Sequence, residues 1–209
     1  MARRKEKPER RRGFRERIVG TREERVAFLI VCEGEETEPN YFNALRIDLR
    51  VQADVRVRGT GFNTLSLVEE AIRLRDAEGG VYDQVWCVFD KDDFTNEAFN
   101  AAVKMAEDNK CHAAYSNAAF ELWLVLHYQL HQSGSHHSEY RSKLDKHLKK
   151  KYEKNDPDLF HATKDKLDTA KRNAEKLHQS RKHPSNPALN NPSTTVHLLV
   201  EQLQKYKLR

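Results

Sequence analysis

Short apolar runs alternate with amphipathic segments between residues 26 and 130. The runs at 26–32 and 85–89 are continuous and too short for helices, so they predict strands buried on both faces of a sheet. Residues 53–59 alternate apolar and charged positions, which predicts a strand nearer the sheet edge, and 111–115 predict a fourth strand. Apolar residues at helical spacing predict helices at about 39–49, 64–78, 96–108 and 118–128.

This alternation of strands and helices predicts an α/β fold, with a mostly parallel four-stranded sheet flanked by helices on both faces. Beyond residue 130 the pattern changes to a polar linker, two basic helical segments, a Pro/Asn loop and a terminal amphipathic helix. We therefore divide the chain into a basic arm at 1–25, expected to be disordered, a catalytic core at 26–130 and a basic helical extension at 131–209. The extension either packs on the sheet or reaches out from it.

The charge is unevenly distributed along the chain. Residues 1–25 carry a net charge of +6, residues 26–140 a net charge of −10, and residues 141–209 a net charge of +9. An acidic core that binds a cation, flanked by segments that bind a polyanion, would have this distribution, although charge asymmetry can also serve solubility alone.

Membrane and disulfide chemistry are not indicated. No apolar run approaches the ~20 residues that a membrane-spanning helix needs. The cysteines, Cys32, Cys87 and Cys111, match no zinc-binding spacing, and their odd number argues against a disulfide framework. We expect buried thiols in a reducing cytoplasm.

Acidic residues follow two of the predicted strands directly. Glu33 and Gly34 follow the first strand, and Asp90 and Asp92 follow the third. Because the carboxyl ends of parallel strands meet at one edge of a sheet, we expect these carboxylates to converge there. Converging carboxylates repel one another unless a cation lies among them, and hard oxygen ligands suit Mg²⁺ or Mn²⁺. Asp93 is either a further metal ligand or the cap of the next helix.

The two strand ends resemble the Toprim catalytic domain of topoisomerases, primases and OLD-type nucleases, which has a Glu-Gly after its first strand and an Asp-x-Asp after its third. More narrowly, the chain resembles the RloB family of abortive-infection proteins. The stretches that carry this resemblance are VCEGEETEPNYF, VFDKDDF, SNAAFELWLVLHY and NNPSTTV, and they span most of residues 26–200.

The resemblance implies a metal-dependent phage-defence nuclease, often encoded beside an ATPase partner. Glu33 would then be the acid/base or a metal ligand, and Asp90 and Asp92 metal ligands. One feature departs from the OLD-type pattern, in which a second acid follows the first by four residues. Here position 37 is Thr37 and the acid is Glu38.

Some candidate residues have both a structural and a functional interpretation. Glu121 is the lone acid of an apolar helix, so it is either a further catalytic residue or the partner of an arginine or a helix N-terminus. For His127, packing in the core is favoured over catalysis. Three further histidines, His131, His136 and His137, could suggest a zinc site. They lie in a loop without cysteine, so zinc is the less favoured interpretation.

Candidate phosphate contacts come from lysines. Lys91 lies between the acids and either contacts a phosphate or is simply solvated. Lys149, Lys150 and Lys151 fall in a predicted basic helix, where they could bind the backbone of RNA or DNA. A solvated helix face would have the same composition.

Three hypotheses follow. The first is a Mg²⁺- or Mn²⁺-dependent nuclease, and the second is a catalytically inactive Toprim-like subunit that binds nucleic acid or an ATPase. The third is another phosphotransfer enzyme on the same fold, such as a nucleotidyltransferase. The sequence has no Gly-rich loop of the Walker type, so ATP hydrolysis would have to come from a partner.

Overall fold

The computed structural model describes residues 26–208 except 62, 80, 93 and 184. The predicted basic arm and Asp93 therefore lie outside the described residues. The strands are β1 (Ala27–Cys32), β2 (Asp54–Gly59), β3 (Gln84–Asp90), β4 (His112–Asn117) and β5 (Ser193–Thr194). The helices are α1 (Thr37–Asp48), α2 (Thr64–Ala77), α3 (Asn96–Asp108), α4 (Glu121–Leu126), α5 (His137–Leu148), α6 (Leu159–Thr163), α7 (Leu167–Gln179) and α8 (Val196–Lys205).

The strands form one sheet in the order β2-β1-β3-β4-β5. The first four are parallel, and β2 lies at the edge, so the predicted mostly parallel α/β sheet is confirmed. The predicted number of four strands is wrong, because β5 pairs with β4 in the antiparallel direction. At two residues, β5 is too short to produce a periodic pattern. Its pairing is reinforced by a 3.2 Å hydrogen bond between the hydroxyls of Ser116 and Thr194.

Both faces of the sheet are covered. In β1, Phe28 and Ile30 point into one apolar core, and Leu29 and Val31 point into the other. Helices α2 and α3 close the second core, and α1, α4, α5, α7 and α8 close the first. Burial on both faces explains why β1 and β3 read as continuous apolar runs rather than alternating ones.

Side-chain caps begin two of the helices at the predicted positions. Asn63 accepts a hydrogen bond from the backbone N–H of Ser66 at the start of α2, at 3.1 Å. Thr95 accepts one from Ala98 at the start of α3, at 3.2 Å. Each cap satisfies a backbone donor that has no partner inside the helix.

The segment after residue 130 packs on the sheet. Leu144, Phe160, Leu177 and Leu199 are buried in the same core as the β1 side chains. None of the helices in the described ranges is long and apolar enough to cross a membrane.

The predicted basic helix ends earlier than expected. Helix α5 ends at Leu148, and Lys149 has a left-handed backbone with φ of 55°. Lys149, Lys150 and Lys151 therefore lie in the loop after α5 and not on a helical face, which corrects the prediction.

Because α8 completes the core of the sheet, a cavity in α8 should weaken the whole fold. Leu199 is fully buried, so Leu199→Ala should lower the free energy of unfolding by about 2–5 kcal/mol in a single cooperative transition. The control is Ile47→Ala, at a side chain that is 67% exposed, which should change stability by less than about 0.5 kcal/mol. Urea denaturation measures both. If the 131–209 segment unfolded in its own transition, it would be an independent unit.

Candidate active site

The register of the parallel strands brings Glu33 to Asp90. Cys32 lies opposite Val88, and the backbone N–H of Glu33 continues the ladder by donating to the carbonyl of Val88 at 2.9 Å. Glu33 Oε2 then accepts a hydrogen bond from the backbone N–H of Asp90 at 3.1 Å. Two of the acids predicted from the sequence are thus held at adjacent strand ends.

The turn after β3 is anchored to the end of β4. The backbone N–H groups of Lys91 and Asp92 donate to the carbonyls of Ser116 and Ala118, both at 2.9 Å. Asp92 has a φ of 37°, in the left-handed region that Asp occupies more readily than most residues. These two bonds fix the backbone from which the Asp92 carboxylate projects.

Asp90 is held from a third side. Its Oδ2 accepts a hydrogen bond from the backbone N–H of Phe120 at 2.9 Å, immediately before α4. The carboxylate therefore bridges the end of its own strand and the next helix.

One cleft of about 380 Å³ collects these acids at the carboxyl edge of the sheet. We call it the acidic cleft. Its lining residues are Glu33, Gly34, Glu38, Gly61, Asn63, Asp90, Asp92, Phe94 and Lys154. The structure thus brings Glu33, Asp90 and Asp92 together, as the strand-end argument predicts.

Glu38 is a second glutamate of this cleft. It lies in the first turn of α1 and is buried, and a Cβ atom at Gly34 would lie 2.1 Å from Glu38 Oε2. A side chain at position 34 would therefore displace the Glu38 carboxylate. The Glu-Gly pair of the sequence thus has a steric reason: the glycine leaves space for the second acid.

Three carboxylates of the cleft, those of Glu33, Asp90 and Glu38, have raised pKa values. Burial raises the pKa of Glu33 to about 7, and the nearby charges of Glu38 and Asp92 add to this, although the hydrogen bond from the Asp90 N–H and the charge of Lys154 oppose it. Burial also raises the pKa of Asp90 well above its usual range, with contributions from Glu38 and Glu121. Burial is likewise the main cause of the raised pKa of Glu38.

Glu121 has the arginine partner that one of its two interpretations requires. Its side chain is 4% exposed, and Oε1 lies 3.2 Å from Nε of Arg141 in α5. Its charge also raises the pKa values of Glu38 and Asp90, so the Glu121 carboxylate lies behind the acidic cleft rather than on its lining.

The histidines separate into packed and cleft-facing ones. His127 is buried, with Nδ1 3.0 Å from the Trp123 carbonyl and Nε2 3.3 Å from the Tyr41 hydroxyl, so the structure gives it the packed arrangement. His137, at the start of α5, places Nδ1 3.8 Å from Asp92 Oδ1. His137 was predicted only as a possible zinc ligand, and its proximity to the cleft was not predicted.

The lysine at the cleft is not one of the predicted ones. Lys91 turns back on its own loop and donates to the Phe94 carbonyl at 3.2 Å, and Lys150 pairs with Asp156 at 2.6 Å. Lys154 lines the acidic cleft instead, and its carbonyl accepts a 2.5 Å hydrogen bond from the Thr37 hydroxyl. Lys154 lies in an aperiodic loop, so no sequence pattern singles it out.

No closed metal cage is formed by the described residues. Among them, no group of three or more His, Cys, Asp or Glu side chains is arranged to hold a metal ion. Asp93, one of the predicted ligands, lies outside this part of the chain.

Comparison with known proteins identifies the family. The model of the family described as RloB-like protein matches residues 28–203, which include all five strands and the acidic cleft. The chain belongs to the RloB-like family. No curated protein and no solved structure matches it.

The raised pKa of Glu33 in this RloB-like protein predicts a pH-dependent gain from neutralising it. A carboxyl whose folded pKa exceeds its unfolded pKa contributes stability below about pH 4.5, and that contribution is lost as the pH rises to about 7. Glu33→Gln keeps an acceptor for the Asp90 N–H and removes the charge. It should raise the free energy of unfolding at about pH 8 by on the order of 2 kcal/mol, and by less at about pH 5.

Chemical denaturation at the two pH values measures this effect. The control is Glu36→Gln, at an exposed residue of the same loop, which should change stability little at either pH. A loss of stability in Glu33→Gln at both values would contradict this, because it would show that the charged Glu33 carboxylate stabilises the fold.

Proposed function

We propose that this RloB-like protein is a Toprim-like nuclease that hydrolyses phosphodiester bonds of nucleic acid with the help of Mg²⁺ or Mn²⁺. The observation that carries the proposal is the acidic cleft, which Glu33, Asp90 and Asp92 line together and in which the pKa values of Glu33 and Asp90 are raised. Clustered carboxylates with perturbed pKa values are typical of functional sites, because a fold gains no stability from them.

The donors in the cleft have the chemistry that a hard divalent cation requires. Glu33, Asp90 and Asp92 would hold the ion through carboxylate oxygens. In phosphoryl-transfer sites Mg²⁺ is often bound by one or two carboxylates, with water and substrate phosphate completing the shell, so a cage of three side chains is not required. When bound, the ion polarises the phosphodiester and lowers the pKa of water.

Individual side chains in and behind the cleft would have separate roles in the reaction. If Asp90 and Asp92 hold the ion without it, Glu33 is placed to accept a proton from the attacking water. Lys154 brings a positive charge to the rim, where the phosphate of a substrate would enter. Arg141 compensates Glu121 and so limits the negative charge behind the cleft.

A biological role in phage defence, exerted in the cytoplasm with an ATPase partner, is part of the proposal. It rests on the resemblance of the VCEGEETEPNYF and VFDKDDF stretches to abortive-infection proteins. The alternative is a catalytically inactive Toprim-like subunit that binds nucleic acid or the ATPase.

Cleavage by the purified protein tests the proposal directly. With labelled DNA and total tRNA as substrates and the ATPase encoded beside the protein added, we expect cleavage only with Mg²⁺ or Mn²⁺, and a loss of about 100-fold or more in Asp92→Asn. Without the ATPase we expect slow cleavage or none. The control is Asp76→Asn, which removes an equivalent charge from an exposed position on α2 and should cleave like the wild type.

A binding measurement separates the two candidate functions. Mg²⁺ should raise the melting temperature of the wild type and leave that of Asp92→Asn unchanged, because only a site in the native state stabilises it. Stabilisation by the cation without cleavage of any substrate would favour the inactive subunit. Cleavage that persists in EDTA would contradict metal dependence.

Expression in cells tests the partner. A nuclease in its host's cytoplasm must be restrained, and we expect the wild type alone to be tolerated and to become lethal when an ATPase encoded beside it is co-expressed. Glu33→Ala should be harmless in both conditions. If the wild type kills cells by itself while Glu33→Ala does not, partner activation is wrong and the nuclease assignment stands.

A further inference from the structure

A second cleft, of about 350 Å³, lies between the end of α7 and the segment before β5. We call it the basic cleft. Its lining residues are Gln132, Leu177, Ser180, Arg181, Lys182, His183, Leu189, Asn190, Asn191 and Pro192. Two permanent cations, a histidine and three side-chain amides thus surround it, and none of the described lining residues is acidic.

The two cations of this cleft differ in their accessibility to a ligand. Arg181 is half-buried: Nε donates to the His178 carbonyl at 2.8 Å, Nη2 lies 2.7 Å from His178 Nε2, and the guanidinium also interacts with the Tyr115 hydroxyl. Lys182 is exposed, and within the described ranges no carboxylate pairs with either residue. Unpaired cations in a concave site form a favourable place for an anion.

The wall of the cleft is fixed by the NNPSTTV stretch. The Asn190 side chain accepts from the backbone N–H of His183 at 3.0 Å and donates to its carbonyl at 2.7 Å, which closes the loop that carries Lys182. Asn191 is exposed and packs against Gly134, where a Cβ atom would lie 3.2 Å from its Cγ. The stretch that contributes to the family resemblance therefore builds this cleft.

The basic cleft lies at the same edge of the sheet as the acidic cleft. Pro192 precedes Ser193, which pairs with Asn117 at the carboxyl end of β4, and Asp90 pairs with the neighbouring Ser116. Two strand spacings separate β3 from β5, which gives about 10 Å.

A single loop also connects the two clefts. Gln132 lines the basic cleft, and His137, next to Asp92, comes five residues later. Five extended residues reach at most ~18 Å. The clefts are therefore neighbours at the same edge of the sheet, close enough for one nucleic-acid strand to contact both.

We propose that the basic cleft binds a backbone phosphate of the same nucleic-acid strand whose scissile phosphate enters the acidic cleft. This inference rests on the proposed function. It adds Arg181 and Lys182 to the phosphate contacts predicted at Lys149, Lys150 and Lys151, which stay predictions. Backbone phosphates are recognised by charge irrespective of sequence, so the cleft would set the register of the strand and not the choice of base.

Binding in EDTA, where metal-dependent cleavage does not occur, tests the assignment. The probe is a labelled single-stranded oligonucleotide of about 12 nucleotides, as DNA and as RNA. Lys182→Glu should weaken binding about tenfold and reduce the slope of log affinity against log salt by about one. Arg181→Ala should weaken binding comparably, and unchanged melting temperatures show that both variants are folded.

The control variant is Lys205→Glu, which makes the same charge change at an exposed residue near the C-terminal end of α8. Tyr206, beside it, bonds to Gln52 ahead of β2, which places Lys205 at the opposite edge of the sheet. Lys205→Glu should leave affinity within about twofold of the wild type. Equal weakening by Lys182→Glu and Lys205→Glu would overturn the inference, because it would show a general effect of charge.

Ligand length separates a strand from a small phosphate compound. A dinucleotide has one internucleotide phosphate, so it cannot place phosphates in both clefts. Its affinity for the acidic cleft, measured from NMR chemical shifts near Asp92, should therefore be the same in the wild type and in Lys182→Glu. Inorganic phosphate and a mononucleotide form the second arm. If Lys182→Glu abolishes their binding while the affinity of the 12-nucleotide probe is unchanged, the cleft takes a free phosphate compound and the inference is wrong.

The outcome is distinguishable from failure of the nuclease proposal. Lys182-dependent oligonucleotide binding without cleavage under any condition would overturn the nuclease and leave the basic cleft standing. Metal-dependent cleavage with no effect of Lys182→Glu on binding would support the nuclease and overturn the assignment of the basic cleft.

Discussion

Repulsion among partly buried carboxylates is the interaction around which the rest of the structure is arranged. Burial raises the pKa values of Glu33, Glu38 and Asp90 at the carboxyl edge of the sheet, and the charges of neighbouring carboxylates raise them further. The fold opposes this repulsion with local donors: the Asp90 N–H for Glu33, the Phe120 N–H for Asp90 and Arg141 for Glu121. The raised pKa values show that these donors compensate only in part, and a cost of this kind is typical of residues retained for chemistry.

Much of the fold follows from local patterns in the sequence. Strands β1 and β3 are continuous apolar runs because both of their faces are covered, and α2 and α3 begin where Asn63 and Thr95 provide side-chain caps. Strand β5 could not be found in this way. Its two residues carry no period, and only their pairing with β4 makes them a strand.

Some residues of the acidic cleft were likewise predictable from the sequence, and others were not. Glu33, Asp90 and Asp92 were predictable because the ends of parallel strands meet at one edge, which is a rule of topology that needs no coordinates. Lys154 and His137 reach the acidic cleft through loops and a helix start far along the chain, and such approaches leave no local signal. The lysines after Leu148 were wrongly predicted as helical for a related reason. Helix α5 ends at Leu148, and Lys149 follows it in a left-handed conformation without the glycine that usually marks such an end.

The position of β5 and α8 in the chain has a consequence for the order of synthesis. Every acid of the cleft is made before residue 122, but the strand that covers the edge of β4 and the helix that fills one core, which includes Leu199 and Leu203, come only after residue 192. A nascent chain that has emerged as far as α7 still exposes that core, so it lacks the packing that would hold the strand ends in register. The acidic cleft would thus form only late, when translation of residues 193–205 allows the sheet to close.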